Sequence, residues 1–442
     1  MIEKTRYFAF SFLTLCMLGG CGQEQINEIL PSNQTNGINS PDIKKIFNPE
    51  RAIISKFGIL EKNNQRTIRK LDTASNINFK FQNKEWHLRK TNTFKAWEYT
   101  TGNKDLVVAV IDSGVDYNHP DLKGRVINGP DIADKDNDPM DDIVGHGTHV
   151  AGIIAANGSA KGIAPNVKIL AIKVFPNEDK TYDTYNSSEG IASAIVYAIQ
   201  NKASVINLSL GKSTIRNRGV STEIESAMSE AFSMGINIVT AAGNETYGFV
   251  ATQPSVQQNL YQIPVVATNE LDTISSFSSY SNMDHPKAIS APGVNIYSTI
   301  PTNQVCGKTV CDLPYDYKNG TSMAAPVVAG TLALIKSSMY DDYVKVIKEV
   351  QKKNPNIPLF TFYEFFHSKQ KESMNMLGLA ITPSSLAEQL LFSYTNKDND
   401  YLRNQQSMVY GAKRDPVFGF GRVDIGEAVK GSSQVFSSVF LK

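Results

Sequence analysis

Leu106-Val107-Val108-Ala109-Val110-Ile111-Asp112-Ser113-Gly114-Val115-Asp116 divides into an apolar run of strand length and a polar turn that begins on a carboxylate. A strand apolar at every residue has no solvent face, so it belongs inside a parallel sheet covered on both sides. Similar runs follow at Val167 to Val174, Val205 to Leu210, Ile236 to Thr240 and Ile263 to Ala267. Between them, Val150 to Ala156, Ser188 to Gln200 and Thr222 to Met234 read as helices. The alternation predicts an α/β fold, a three-layer sandwich with a mostly parallel central sheet flanked by helices.

In such sheets, sites form at the carboxyl ends of the strands. Asp112 follows the first strand directly, and Asn244 follows Ile236 to Thr240 in Ala241-Ala242-Gly243-Asn244. His146 opens a helix in Gly145-His146-Gly147-Thr148-His149-Val150-Ala151-Gly152. Ser322 stands in Asn319-Gly320-Thr321-Ser322-Met323-Ala324-Ala325-Pro326, ahead of the small apolar run Val327 to Ile335. A serine there meets the unpaired N–H groups and positive dipole end of a helix, which stabilise an anion. By itself such a serine is usually only a cap. With a histidine to take its proton and a carboxylate to hold that histidine, it becomes a nucleophile. The Asn244 amide and the Ser322 N–H would then receive the developing oxyanion.

Those four segments, in that order, resemble the subtilisin-type serine peptidases (subtilases). The resemblance runs from about Trp86 to about Lys430 and includes His119-Pro120-Asp121-Leu122, Ser276 to Ser281, Ala291-Pro292-Gly293-Val294 and Gly419-Phe420-Gly421-Arg422-Val423-Asp424. It implies a subtilisin-like fold, an Asp112–His146–Ser322 triad, Asn244 as oxyanion donor, and peptide-bond hydrolysis through an acyl-enzyme. Ser209-Leu210-Gly211 resembles the family's segment that takes substrate backbone as an added strand, although Lys212 stands where a second glycine is usual. Glu245, beside Asn244, is placed to favour a basic side chain before the scissile bond. Asp134, Asp136 and Asp138 alternate just before His146. Some relatives bind calcium in that stretch, and a solvated acidic loop reads equally well. The family's other common calcium loop would fall at Asn157 to Lys161, which is shortened here, so no ion is expected there.

The 442 residues, 41% apolar, suffice for one large domain or two. Lys and Arg total 44 against 43 Asp and Glu, a net charge of +1 without a basic run, which disfavours nucleic acid as a partner. Lys4, Arg6 and the apolar run Tyr7 to Leu18 read as an export signal too short to span a bilayer. Leu18-Gly19-Gly20-Cys21 resembles the bacterial lipobox, which would leave lipidated Cys21 as the anchor of a cell-envelope protein at the outer membrane or cell surface.

The expected divisions are a signal at 1–20, a tether at 21–40, an unassigned or reduced pro-segment at 41–82, a peptidase domain at 83–430 and a C-terminal tail at 431–442. An insertion is expected at 340–379, carrying Tyr343, Ile347, Val350 and the aromatics Phe360, Phe362, Tyr363, Phe365 and Phe366, as a packed surface elaboration. Cys306 and Cys311 suit a local hairpin disulfide better than a metal site. His87, His119, His149, His285 and His367 are expected to be structural. The expected partners are a protein or peptide substrate and the membrane, with the chain a monomer.

Overall fold

Continuous apolar runs become the buried strands of one sheet. The computed structural model describes residues 84–141, 144–176, 188–210, 221–245, 261–280, 287–303, 305–306, 309–310, 313–367, 383–396, 408–409, 412–413 and 418–440. Expectations for residues 1–82, including Cys21, lie outside these, as do those for Gly211, Lys212, His285 and Cys311.

The strands are β1 Val107–Asp112, β2 Val126–Asp131, β3 Lys168–Lys173, β4 Val205–Leu208, β5 Asn237–Ala241, β6 Gln262–Thr268, β7 Ile289–Pro292 and β8 Ile296–Thr299. Shorter strands follow: β9 Val305–Cys306, β10 Thr309–Val310, β11 Tyr315–Lys318, β12 Thr395–Asn396, β13 Met408–Val409, β14 Ala412–Lys413 and β15 Arg422–Val423. Nine of them form a sheet in the order β12-β15-β7-β6-β5-β4-β1-β3-β2. Every pair is parallel except β12 with β15. Two antiparallel pairs outside it, β8 with β11 and β9 with β10, lie in the chain between β7 and Ser322.

The helices are α1 Trp86–Lys90, α2 Thr93–Ala96, α3 His146–Ala155, α4 Ser188–Gln200, α5 Thr222–Ser233, α6 Thr321–Gln351, α7 Phe362–His367, α8 Pro383–Ser393, α9 Ile425–Ser432 and α10 Ser437–Phe440. Val107, Ala109 and Ile111 of β1 join Leu170, Ile206 and Ile238 in a core with Ile195 and Ala198 of α4 and Ile224 and Met228 of α5. Side chains alternate across a strand, so the equally buried Val108 and Val110 serve the other face, where α3 and α6 lie. The expected three-layer α/β sandwich is therefore the observed fold.

Strand β1 sits between β3 and β4, so the chain reverses its direction of progress across the sheet beside Asp112. Ligands collect at such reversals in open parallel sheets. The alternation missed β2, whose residues are partly exposed, and the short strands from β7 onward.

Helix α6 extends into the stretch expected as an insertion, of which residues 368–379 lie outside the described ones. It runs unbroken for 31 residues through Tyr340, with Tyr343, Val346 and Ile347 still buried. Of the described helices, this alone is long and apolar enough to cross a membrane, and its apolar stretch is wholly buried in the protein. Helix α7 folds back onto it, stacking Phe365 on Tyr343 with ring centroids 4.3 Å apart. The closing residues, expected as a tail, are also packed: Phe436 is buried and its N–H donates to Asp342 Oδ2 (2.7 Å).

Candidate active site

Asp112 is the last residue of β1 and fully buried. Its Oδ1 accepts from the Ser113 N–H (2.8 Å) and from His146 Nδ1–H (2.7 Å). A carboxylate on Nδ1 selects the tautomer that leaves Nε2 as a base. The imidazole keeps about a fifth of its surface exposed (21%), so the ring reaches the solvent cleft.

The approach of α3 to the end of β1 depends on small residues. A Cβ on Gly147 would meet the Gly114 carbonyl oxygen at 2.1 Å, and Gly145 holds the left-handed conformation (φ 66°) that turns the chain into the helix. The first N–H groups of α3 are not left bare. Ser113 Oγ accepts from Gly147 N–H (2.9 Å), and Asp141 accepts from Gly145 N–H (2.8 Å) and Thr148 N–H (2.9 Å).

Ser322 is the second residue of α6. Its Oγ donates to the Ser209 carbonyl (3.2 Å), and Ser209 Oγ donates back to the Ser322 carbonyl (2.9 Å). Pro326 explains why that carbonyl is available. In an α-helix it would accept from the N–H four residues on, and proline has none. Asn207 Nδ2 donates to Ser209 Oγ (2.9 Å), which fixes the direction of the Ser209 hydroxyl.

Asn244 lies beyond β5 and its amide orientation is determined. Thr321 N–H (2.9 Å) and Thr321 Oγ1 (3.0 Å) both donate to Oδ1, while Thr321 Oγ1 accepts from Gly243 N–H (3.1 Å). The amide's donor side, Nδ2, is what remains to meet a ligand. Glu245 extends next to it, its carboxylate accepting from Ser279 Oγ (3.4 Å). Leu210, partly buried, packs its side chain against the α4–α5 core.

The described carboxylates of the acidic loop do not gather into a metal-binding cluster. Among the described residues, no group of three or more carboxylate, histidine or cysteine ligands converges. Asp138 Oδ1 accepts from Tyr117 (3.0 Å) and from Met140 N–H (3.2 Å), and Asp136 Oδ1 accepts from Asp138 N–H (2.8 Å). The cation here is Lys173, buried at the end of β3, with Nζ 3.1 Å from Asp131, 3.9 Å from Asp134 and 3.2 Å from the Met140 carbonyl. The described carboxylates are thus held by their own loop and by an internal ammonium.

The other described histidines are held by structure. His149 is buried with Nε2 on the carbonyls of Ile296 (3.1 Å) and Asp316 (3.2 Å), and burial drives it well below the usual histidine range. His119 donates to the Pro314 carbonyl (2.9 Å), and His87, buried, is pushed down to about 4. Cys306 lies in the β9–β10 hairpin opposite Thr309. Four participants escaped the sequence reading: Thr321, Asn207, Ser113 and Asp141. All lie within or beside quoted motifs, yet only the folded chain shows which polar atoms their side chains touch.

The family model described as the subtilase family matches residues 103–354. The thermophilic serine proteinase of Bacillus sp. (strain AK1) is 40% identical over 262 residues, 58% of this chain and 58% of that protein. The major intracellular serine protease of Bacillus subtilis (strain 168) is 36% identical over 57% of this chain and 75% of its own length. Thermitase of Thermoactinomyces vulgaris is 37% identical over 58% of this chain and 84% of its own. Among solved structures, a lanthipeptide protease shares the fold, with a TM-score of 0.54 and 22% identity over 78% of this chain and 93% of that one. A protease of Pseudoalteromonas arctica aligns with a TM-score of 0.54 and 25% identity over 79% of this chain and 98% of that one. With the family match covering more than half of its residues and centred on the strands and helices that carry Asp112, His146, Asn244 and Ser322, the chain belongs to the subtilase family.

Proposed function

We propose that this chain is a serine endopeptidase that cleaves peptide bonds through an acyl-enzyme on Ser322. His146 Nε2 takes the Ser322 Oγ proton as Oγ attacks the scissile carbonyl, and Asp112 stabilises the imidazolium that results. The carbonyl oxygen, now negative, is received by Asn244 Nδ2 and the Ser322 N–H. The imidazolium returns its proton to the leaving amine, and water then releases the acyl group by the same route in reverse. The observation that carries this reading is the buried Asp112 carboxylate 2.7 Å from His146 Nδ1, joined to an Asn244 amide locked by the residue that precedes Ser322.

The substrate is a protein or peptide whose backbone pairs with Ser209-Leu210-Gly211, and Glu245 favours Lys or Arg before the scissile bond. The enzyme is exported, lipidated on Cys21, held at the bacterial envelope as a monomer, and carries a Cys306–Cys311 disulfide. Its acidic loop is organised by Lys173, so a structural calcium at Asp134, Asp136 and Asp138 forms no part of the reading.

The rival is a surface lipoprotein that keeps the fold without the activity. Labelling the purified chain with a fluorophosphonate decides between them. The peptidase labels on Ser322, and Ser322→Ala and His146→Ala abolish both label and turnover, a loss of about a million-fold for either residue. A well-folded wild-type chain that takes no label sinks the proposal.

A further inference from the structure

Asp141 is 1% exposed and places a second buried carboxylate behind the triad. Its Oδ1 accepts from Gly145 N–H (2.8 Å) and Ser113 Oγ (3.1 Å), and its Oδ2 from Thr148 N–H (2.9 Å) and Thr148 Oγ1 (2.8 Å). Two of these partners bracket His146 in sequence, and the third is the neighbour of Asp112. Ser113 and Thr148 each have a second tie to the same place. Ser113 donates its N–H to Asp112 Oδ1 and accepts Gly147 N–H, and the Thr148 hydroxyl accepts the Asp116 N–H (2.9 Å). One acceptor-only group therefore clamps the start of α3 to the turn after β1.

We propose that Asp141 is a positioning residue of the peptidase reaction, holding the His146 helix against the Asp112 strand so that the imidazole keeps its register with the carboxylate and Ser322. The inference rests on the serine-peptidase reading above. A carboxylate suits this place and an amide does not. Four donors converge on two oxygens, and an amide would turn an N–H₂ against two of them. Gly145 supplies no side-chain cap to α3, so Asp141, four residues upstream, satisfies the helix N–H groups in its stead.

The surrounding charges set the sign of its electrostatic effect. Burial, opposed by the Thr148 and Gly145 hydrogen bonds and reinforced by the Asp112 charge, pushes Asp141 up to about 6. Lys318, mostly buried, donates to the Gly145 carbonyl (3.2 Å) and interacts with Asp141, Asp112 and Asp316. His149 is buried on the same helix and is kept neutral. Above its own titration, Asp141 places a negative charge behind the start of α3, and Asp141→Asn removes it while keeping the shape of the side chain.

The test compares wild type with Asp141→Asn and Ser113→Ala in the full chain, by steady-state hydrolysis of a chromogenic peptide from pH 5 to 9. Histidine-labelled NMR titration of His146, assigned with His146→Ala, accompanies it. Asp141→Asn is expected to lower kcat by about a hundred-fold with KM little changed, the size expected when a catalytic group is misplaced by about an ångström. The acid limb of its kcat/KM profile and the NMR titration of His146 should both move to lower pH. Ser113→Ala keeps the carboxylate charge, so it should lower kcat by a smaller factor and leave the His146 titration in place. A folded Asp141→Asn with wild-type kcat and an unmoved His146 titration overturns the proposal. If that variant does not fold, a wild-type kcat in Ser113→Ala overturns it instead. Because the titration needs no turnover, a wild-type chain without activity defeats the peptidase reading, while an unmoved titration defeats the role of Asp141.

Discussion

Thr321 links Asn244 to the start of α6, next to Ser322. Its hydroxyl accepts from Gly243 and donates to Asn244, so this hydroxyl and the Thr321 N–H together hold the amide with its oxygen inward. Thr321→Val removes one of the two holds and leaves Gly243 N–H without its acceptor. The expected cost is about 1–1.5 kcal/mol of transition-state stabilisation, roughly a ten-fold loss in kcat with KM little changed. Asn244→Ala, which removes the donor itself, should cost about a hundred- to a thousand-fold. Steady-state kinetics on a chromogenic peptide checks both, and a Thr321→Val effect confined to KM would place the residue in substrate binding instead. The motif Asn319 to Pro326 reads as a nucleophile site only in company with Asp112 and His146, since a serine at a helix start is by itself usually a cap. The part of Thr321 was not legible, since nothing in the spacing brings residues 244 and 321 together.

At the scale of elements, the acidic loop between β2 and α3 shows how one internal charge replaces a cradle. Lys173 closes β3 in register with Asp112 of β1, and its ammonium reaches Asp131, Asp134 and the Met140 carbonyl next to Asp141. Thermal unfolding in excess chelator should therefore match unfolding in millimolar calcium. Lys173→Met should lower stability by about 3–5 kcal/mol, the usual cost of leaving a buried charge without its partner. A chelator-induced fall in the wild-type midpoint would restore the ion to this loop. Alternate aspartates with no other sign present the same pattern whether they bind a metal or a lysine that is distant in sequence. In α6, Tyr343, Val346 and Ile347 are buried beyond Met339 because elements distant in sequence, α7, α9 and α10, return to cover that stretch.

Across the whole molecule, the amino ends of the central strands β4 and β5, opposite the ends that carry Asp112 and Asn244, hold a buried basic cluster. Lys336 Nζ donates to the carbonyls of Ser204 (2.8 Å) and Gly235 (3.1 Å), just ahead of β4 and β5, with the Phe366 ring 5.1 Å away. His367 Nδ1–H donates to the Met234 carbonyl (2.9 Å), and its Nε2 accepts from Ser204 Oγ (3.1 Å). Burial pushes Lys336 down to about 7, and burial with the Lys336 charge beside it pushes His367 down to about 3. A base depressed in the native state binds fewer protons there than in the unfolded chain, so stability rises with pH between the native and unfolded values. For His367 that window runs from about 3 to 6.5, and for His87 from about 4 to 6.5, so both contributions are lost as pH falls below 6.5. Asp141, raised to about 6, acts the other way between 3.8 and 6 and only partly offsets them. Denaturant unfolding should show wild type losing about 2 kcal/mol through His367 alone between pH 6.5 and 5, a loss that His367→Gln, already weaker at pH 7, does not share. Equal losses in both proteins would remove His367 from the account.

The sequence by itself determined the layered α/β fold, the strand ends that carry Asp112 and Asn244, and the helix starts that carry His146 and Ser322. Apolar periodicity and turn chemistry are local properties, and the residues quoted as motifs hold their chemistry within a few positions. Only the tertiary structure decided that Lys173 stands among the aspartates, that Pro326 frees a carbonyl for Ser209, and that Asp141 ties the start of α3 to the turn after β1. Those facts join residues from separate strands and helices. Hydrogen bonds and desolvation depend on which atoms the folded chain brings within about 3 Å of one another, a quantity no local pattern of residues contains.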